Sequence, residues 1–298
     1  MKAIKYIVLI LFGVISINVC AQNNNSERFA IKASAEIGLG NSISSNSYIS
    51  SLSSKATTGS YGLDFGWTFW SQKGHRLEAN IGVAYSPTAV ELELGSFDYN
   101  YVAPPTADMD GESYQRYYEI SNLHQKVSLG RVTLPIYLTY GYKCNGWFGL
   151  HADLGVRFGF KTNATISEVS GEAYSYGIYP QYDNLLIDES YLNDFGTTNL
   201  ANAGYGTPGC NGFSTSVLVG VGAEFSISKH LGADISVRYN RGITNLFKEQ
   251  YSGQDFTNVS APINYSVSDG QQVKSLTEYL SSSKVSPISL RIALIYRF

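Results

Sequence analysis

Charge is scarce in this chain. Of 298 residues only 15% are Asp, Glu, Lys or Arg, and the formal balance is −3 at pH 7. No cluster of Lys and Arg is present, which argues against a nucleic-acid partner, whose phosphates demand grouped cations. Long apolar runs are missing as well. Beyond the N-terminus no stretch reaches the roughly 18 apolar residues that a membrane-spanning helix needs. Histidine occurs only at His75, His124, His151 and His230, with no metal-ligand spacing and no nucleophile motif beside any of them. Neither metal nor cofactor is therefore expected, and an enzyme is not the favoured reading.

Cysteine is limited to Cys20, Cys144 and Cys210. Cys20 ends an N-terminal segment that reads as a secretory signal peptide: Lys2 and Lys5 precede an apolar run from Tyr6 to Ile17, and Val19-Cys20-Ala21 supplies the cleavage site. The expected division is a signal peptide over residues 1–21 and one domain over residues 22–298, beginning at Gln22. A lipid-modified Cys20 is disfavoured, because lipid processing wants a small residue where Val19 stands. Cys144 and Cys210 are expected at opposite ends of the fold, too far apart for a disulfide.

What the chain does have is alternation. Glycine and tyrosine are abundant, at 29 and 23 residues, and eight segments place apolar side chains at every second position. This period of two is the signature of strands. The eight run Phe29–Leu39, Tyr61–Phe69, Leu77–Tyr85, Val132–Tyr142, Phe148–Phe160, Phe213–Ile227, Leu231–Tyr239 and Ile288–Phe298. Three connections are short, near Gly74, Gly146 and His230. Four are long, over residues 40–58, 87–126, 161–212 and 247–284. Short turns at one end and long loops at the other form the pattern of bacterial membrane barrels. The expected fold is thus all-β: a transmembrane antiparallel up-and-down β-barrel of eight strands, with ten as the alternative, and four long extracellular loops. A soluble barrel is opposed by the aromatic residues at strand ends (Trp67, Phe69, Tyr140, Tyr142, Trp147), placed as interface girdles are.

The terminal strand Ser289–Phe298 looks like the C-terminal signal by which barrel-assembly machinery recognises its clients, and Val132-Thr133-Leu134-Pro135-Ile136-Tyr137-Leu138 resembles a Leu-Pro strand of small outer-membrane barrels. In pattern the mature chain is similar to the OmpA-like and PorT-like outer membrane β-barrel domains. That resemblance implies localisation to the outer membrane of a Gram-negative bacterium, with outer-membrane lipid and lipopolysaccharide as surroundings. It makes Leu290, Ile292, Leu294, Tyr296 and Phe298 the assembly signal. The family spans structural proteins, adhesins and secretion components, so no function transfers residue by residue. Pro135 is rare in a paired strand and predicts a bulge or a local break.

Between the outward apolar positions lies a second set that faces the barrel interior. It holds the acids Glu36, Asp64, Glu78, Asp153, Glu224 and Asp234 and the bases Lys32, Arg76, Arg131, Arg157, Arg238 and Arg291. Six face six, and an eight-strand barrel is just wide enough for side chains to fill it. A structural plug of ion pairs is expected, with Arg157 compensating Asp153; a narrow ion path is the sharper alternative.

The four long connections carry 17 acids, 7 bases and 15 tyrosines. Tyrosine gives large contact area at low entropic cost, so Tyr114, Tyr117 and Tyr118 are candidates for binding an extracellular or periplasmic protein or glycan. The sequence therefore points to a non-enzymatic surface protein with a binding, adhesive or structural role. A transport barrel or secretion component is the rival, for which a hairpin of Ala173–Tyr179 with Leu185–Ile187 would be the first sign. Val90-Glu91-Leu92-Glu93-Leu94 alternates out of phase with the strand before Pro87, which suggests that this strand continues above the membrane.

Overall fold

The computed structural model describes residues 28–48, 51–95, 106–107, 111–187, 195–202, 204–205, 207–248, 263–266, 270–273 and 275–298. The segment read as a signal peptide lies outside them.

Eight strands close into a ring: β1 (Phe29–Leu39), β2 (Leu52–Gln72), β3 (His75–Leu94), β4 (Ser113–Lys143), β5 (Phe148–Tyr179), β6 (Phe213–Ser226), β7 (Leu231–Gly242) and β8 (Ile288–Arg297). Each pairs antiparallel with its neighbours in chain order, and β8 returns to β1. Closure leaves the barrel no free sheet edge, which hydrocarbon would punish. Phe29 and Phe298 lock the seam with two reciprocal backbone hydrogen bonds, of 3.1 and 2.9 Å.

The tight turns gather at that same end. Lys73 and Gly74 both have positive φ, 51° and 84°, as a two-residue hairpin with the right-handed twist of its strands requires. In the turn after β4, the Asn145 side-chain oxygen accepts from the amides of Trp147 and Phe148 at 3.1 and 2.8 Å. Rings crowd this rim: Phe29 meets Phe65 at 5.7 Å, and Trp147 meets Phe225 at 6.0 Å. A second set stands further along the strands, where Tyr61 meets Tyr85 at 5.5 Å and Phe160 meets Phe213 at 5.4 Å. Between the two girdles the exterior is apolar, with Val221 62% and Leu154 61% exposed. That is the surface a barrel offers to lipid.

Three of the four connections expected as loops, over residues 40–58, 87–126 and 161–212, are corrected in part, because barrel strands run on into them. Strands β4 and β5 are 31 and 32 residues long, about three times the 9–11 residues that span a bilayer. Residues 52–58, 87–94, 113–126 and 161–179 continue the barrel strands outward as a four-stranded wall. The other four strands stop at the outer girdle.

Polarity inverts along β3 while its pairing register with β2 and β4 does not. In β3, Leu77, Ala79, Ile81, Val83 and Tyr85 take the outward positions, whereas Val90, Leu92 and Leu94 on the opposite parity are 0% exposed. Tyr85 pairs with Tyr61 and Thr88 with Thr58 in one continuous register, so no bulge turns the strand over. The same exchange occurs in β4, between buried Leu129 and outward Val132 to Tyr142. Below this level apolar groups seek lipid, and above it they seek a protein core.

That core is a cap over the barrel mouth. Leu52, Ala56, Val90, Leu92, Leu94, Leu123, Val127, Leu129, Ile166, Val169 and Ala173 on the wall pack against Ile43, Leu200, Cys210, Leu246, Phe247, Leu276, Tyr279 and Leu280 from the connecting segments. The segments are tied down by a strand pair, Ile43–Ser47 with Leu280–Val285, and by the buried Gln125, whose side-chain oxygen accepts from the Leu276 amide at 2.7 Å.

Pro135 produces a local break without a bulge. It stays aligned with Arg157 on β5, while the pairing of β4 with β3 lapses between Ile81 and Ala84 and resumes in the same register. The missing N–H is confined to that gap. The hairpin of Ala173–Tyr179 with Leu185–Ile187 is present in part, pairing Gly177 to Tyr179 with Leu185 to Ile187. It lies on the wall outside the ring, so the ring keeps eight strands.

Candidate functional site

The lumen is filled by ion pairs, because alternation sends every second residue inward and an eight-strand barrel is only wide enough for side chains to fill it. At the turn end, Glu224 is held between Arg76 and Arg297, the latter at 2.9 Å. Lys32 pairs with Glu78 across the barrel. One level further out, Arg291 bridges Asp64 at 2.8 Å and Asp234 at 2.9 Å. His151 sits between Asp234 and Asp153, and Arg238 meets Asp153 at 2.6 Å. Tyr137 donates its hydroxyl to Asp64 at 2.9 Å and lays its ring 4.7 Å from the Arg238 guanidinium. Outermost, Arg157 pairs with Glu36 at 2.8 Å, and Glu36 also accepts from Asn240 at 3.0 Å and from Ser289.

Small residues make this density possible. A Cβ on Gly222 would stand 2.6 Å from the His151 ring nitrogen and 2.5 Å from the Ser236 Cβ. At the turn end a vestibule of about 420 Å³, lined by Arg76, Lys143, Glu224, Lys229, His230 and Arg297, runs inward only as far as the Glu224 layer.

Eleven of the twelve lumen residues read from the sequence meet here: Lys32, Glu36, Asp64, Arg76, Glu78, Asp153, Arg157, Glu224, Asp234, Arg238 and Arg291. Arg131 is the exception. It faces inward but makes no ion pair among the described residues; its guanidinium donates to the Asn211 carbonyl at 3.3 Å. The expected match of Arg157 with Asp153 is also corrected, since Arg157 lies nearer the outer girdle, opposite Glu36. Sequence reasoning passed over Arg297 and Tyr137. Arg297 and Tyr137 stand on the inward parity of their strands, and that parity was the available signal.

The tyrosines divide. Tyr114 is 5% exposed and packs with Tyr179 at 5.3 Å and Phe195 at 5.4 Å, with Ile187 alongside. It is a small core at the tip of the wall, which overturns its candidacy as a contact residue. Tyr118 pairs through its backbone with Ser175, and its side chain lies outside the described residues. Tyr117 stacks on Tyr176 at 5.2 Å with the rings 8° from parallel, and Tyr176 adjoins Tyr174 at 5.7 Å. Exposed Glu119 and Glu172 flank this row. On β8, Leu290, Ile292, Leu294, Tyr296 and Phe298 line the lipid-facing side, with Phe298 6.0 Å from Phe29.

Solved structures similar to this chain include three outer-membrane proteins. The outer membrane protein OprG from Pseudomonas aeruginosa is 11% identical, with a TM-score of 0.42, over 92% of this chain and 96% of its own. Ail of Yersinia pestis is 10% identical at a TM-score of 0.32, over 92% and 100%. The outer membrane protease OmpT from Escherichia coli is 11% identical at 0.34, over 91% and 94%. No curated protein matches. Residues 20–248 match the outer membrane protein beta-barrel domain. With a closed eight-strand ring, a lipid-facing apolar belt and a charged lumen, the chain belongs to the outer membrane protein beta-barrel domain family and resides in the outer membrane of a Gram-negative bacterium.

Proposed function

We propose that this protein is a non-enzymatic display barrel: a sealed membrane anchor that holds a folded extracellular wall and uses its tyrosine row to bind a protein or glycan outside the cell. The observation that carries the reading is the coexistence of two closures, ion pairs in the lumen and an apolar cap above it, with an aromatic row left on the outer face. A transport path through the barrel would need both of those closures to be absent. A rim enzyme would need its acid–base groups within reach of substrate, and His151 with Asp153 and Asp234 is sunk among Arg238 and Arg291 instead.

Parallel tyrosine rings beside carboxylates suit a flat, polar partner. The rings offer stacking area at low entropic cost, and Glu119 and Glu172 accept hydrogen bonds from hydroxyl or amide groups. The test is Tyr117→Ser with Tyr176→Ser, read by purified protein on a printed glycan array and by adhesion of intact cells to protein-coated surfaces. Loss of retention with unchanged heat-resistant gel mobility supports the reading. Retention equal to that of the unaltered protein contradicts it.

A further inference from the structure

A chamber of about 90 Å³ lies where the lumen network ends and the apolar cap begins. It is several times the 10–15 Å³ that a single water occupies. We propose that this chamber binds one small oxyanion of the size of phosphate, gripped by Arg131.

Charge bookkeeping singles out Arg131. Below the chamber, Lys32, Arg76, Arg157, Arg238, Arg291 and Arg297 each pair with a carboxylate among Glu36, Asp64, Glu78, Asp153, Glu224 and Asp234, and His151 lies between Asp153 and Asp234. Arg131 is the inward-facing base with no carboxylate partner among the described residues. It is 5% exposed, and its Nε is buried without a hydrogen-bond partner. Its one hydrogen bond among the described residues reaches a neutral carbonyl, that of Asn211. A guanidinium withdrawn from water without a counter-ion is costly, and an anion is what relieves it.

The remaining wall suits the same ligand. Ser60, Ser86, Thr88, Thr133 and Ser214 surround the space with hydroxyls; Ser60, Ser86 and Thr133 bond to one another and Ser214 donates to the Gly159 carbonyl, and a hydroxyl can rotate from such a bond to an anion. Arg157 lines it too, with its own Nε buried and unpartnered while its Nη2 serves Glu36. Glu36 is the chamber's carboxylate, and it is already engaged by Arg157, Asn240 and Ser289. The planar fork of a guanidinium matches two oxygens of an oxyanion better than a spherical halide.

The experiment is equilibrium dialysis of the folded protein in detergent against radiolabelled phosphate, at ionic strength fixed with sodium chloride. The expected result is saturable retention approaching one phosphate per chain, unaffected by Lys126→Gln on the exposed wall and weakened at least tenfold by Arg131→Gln. If Arg131→Gln does not fold, Arg131→Lys decides instead: it keeps the charge but loses the fork, and retention should fall. No saturable retention by the unaltered protein, equal competition by chloride mole for mole, or full retention in the Arg131 variants would overturn the proposal.

Discussion

Tyr85 and Val90 lie on one strand, in one register, yet point in opposite directions: Tyr85 outward to the ring of Tyr61, Val90 fully buried in the cap. Between them the solvent of the outer face changes from lipid to water. The hydrophobic set changes parity accordingly, because the same strand must satisfy two solvents in turn. The level of this exchange, Thr58 beside Thr88, marks the outer boundary of the membrane.

Two positions on the outward face of β3 test that boundary. In a Cys144→Ser background, Glu91→Cys should react with a membrane-impermeant thiol reagent on intact cells. Val83→Cys should stay unreactive and, once labelled with a fluorophore in reconstituted vesicles, should be quenched by lipid-chain quenchers. Equal aqueous reactivity at both positions would move the boundary.

Arg157→Ala should weaken the barrel by removing the cation that compensates Glu36. Breaking one side of a buried pair costs about 3–5 kcal/mol, read as a lower urea midpoint in unfolding from detergent or lipid. Glu36→Gln added to Arg157→Ala should recover part of the loss, since the stranded carboxylate is gone. If Asp153→Asn rescues instead, the pairing of Arg157 with Glu36 is wrong.

Leu92→Ala should loosen the cap and leave the membrane ring intact. A fully buried leucine truncated to alanine typically costs about 2–5 kcal/mol. The variant should be cut faster than the unaltered protein by external protease on intact cells, with unchanged heat-modifiable gel mobility. Unchanged proteolysis would show that the cap core contributes little to order outside the membrane.

The two thiols should differ in both place and chemistry. Cys144 is exposed in a turn at the periplasmic end, and Cys210 is buried in the cap. Burial pushes the Cys210 thiol up to about 11, so little thiolate exists near neutrality, and the thiolate is the reactive form. In native purified protein a maleimide should modify Cys144 alone, with Cys210 following only after denaturation. Labelling of Cys144 on intact cells by an impermeant reagent would invert the topology.

Most of the ring was legible in the sequence because lipid enforces it. Every outward residue from Leu77 to Tyr85 and from Val132 to Tyr142 had to be apolar or aromatic, so alternation showed strand, face and turn together. The wall was not legible in the same way. Its inner face is apolar and its outer face polar, as in a soluble sheet, and Asn122 and Gly171, with φ of 50° and 141°, accompany a register shift between β4 and β5. Those irregularities broke the pattern, and four strand continuations read as loops. The out-of-phase run Val90 to Leu94 was the one clear trace. In the lumen, sequence parity gave membership but not partners: Arg157 faces Glu36, 121 positions away in the chain, and only barrel closure sets such pairs. Tyr114 and Tyr117 looked equivalent until the wall placed one in a core and the other on a face.

The sealed lumen is the claim on which the display reading stands, and single-channel recording in planar bilayers tests it most directly. Purified, folded protein should insert without producing a steady, salt-dependent current, because the ion-pair layers from Glu224 to Glu36 and the cap above them leave no continuous water path. A large and stable conductance from the unaltered protein would contradict the account and make transport the function to pursue.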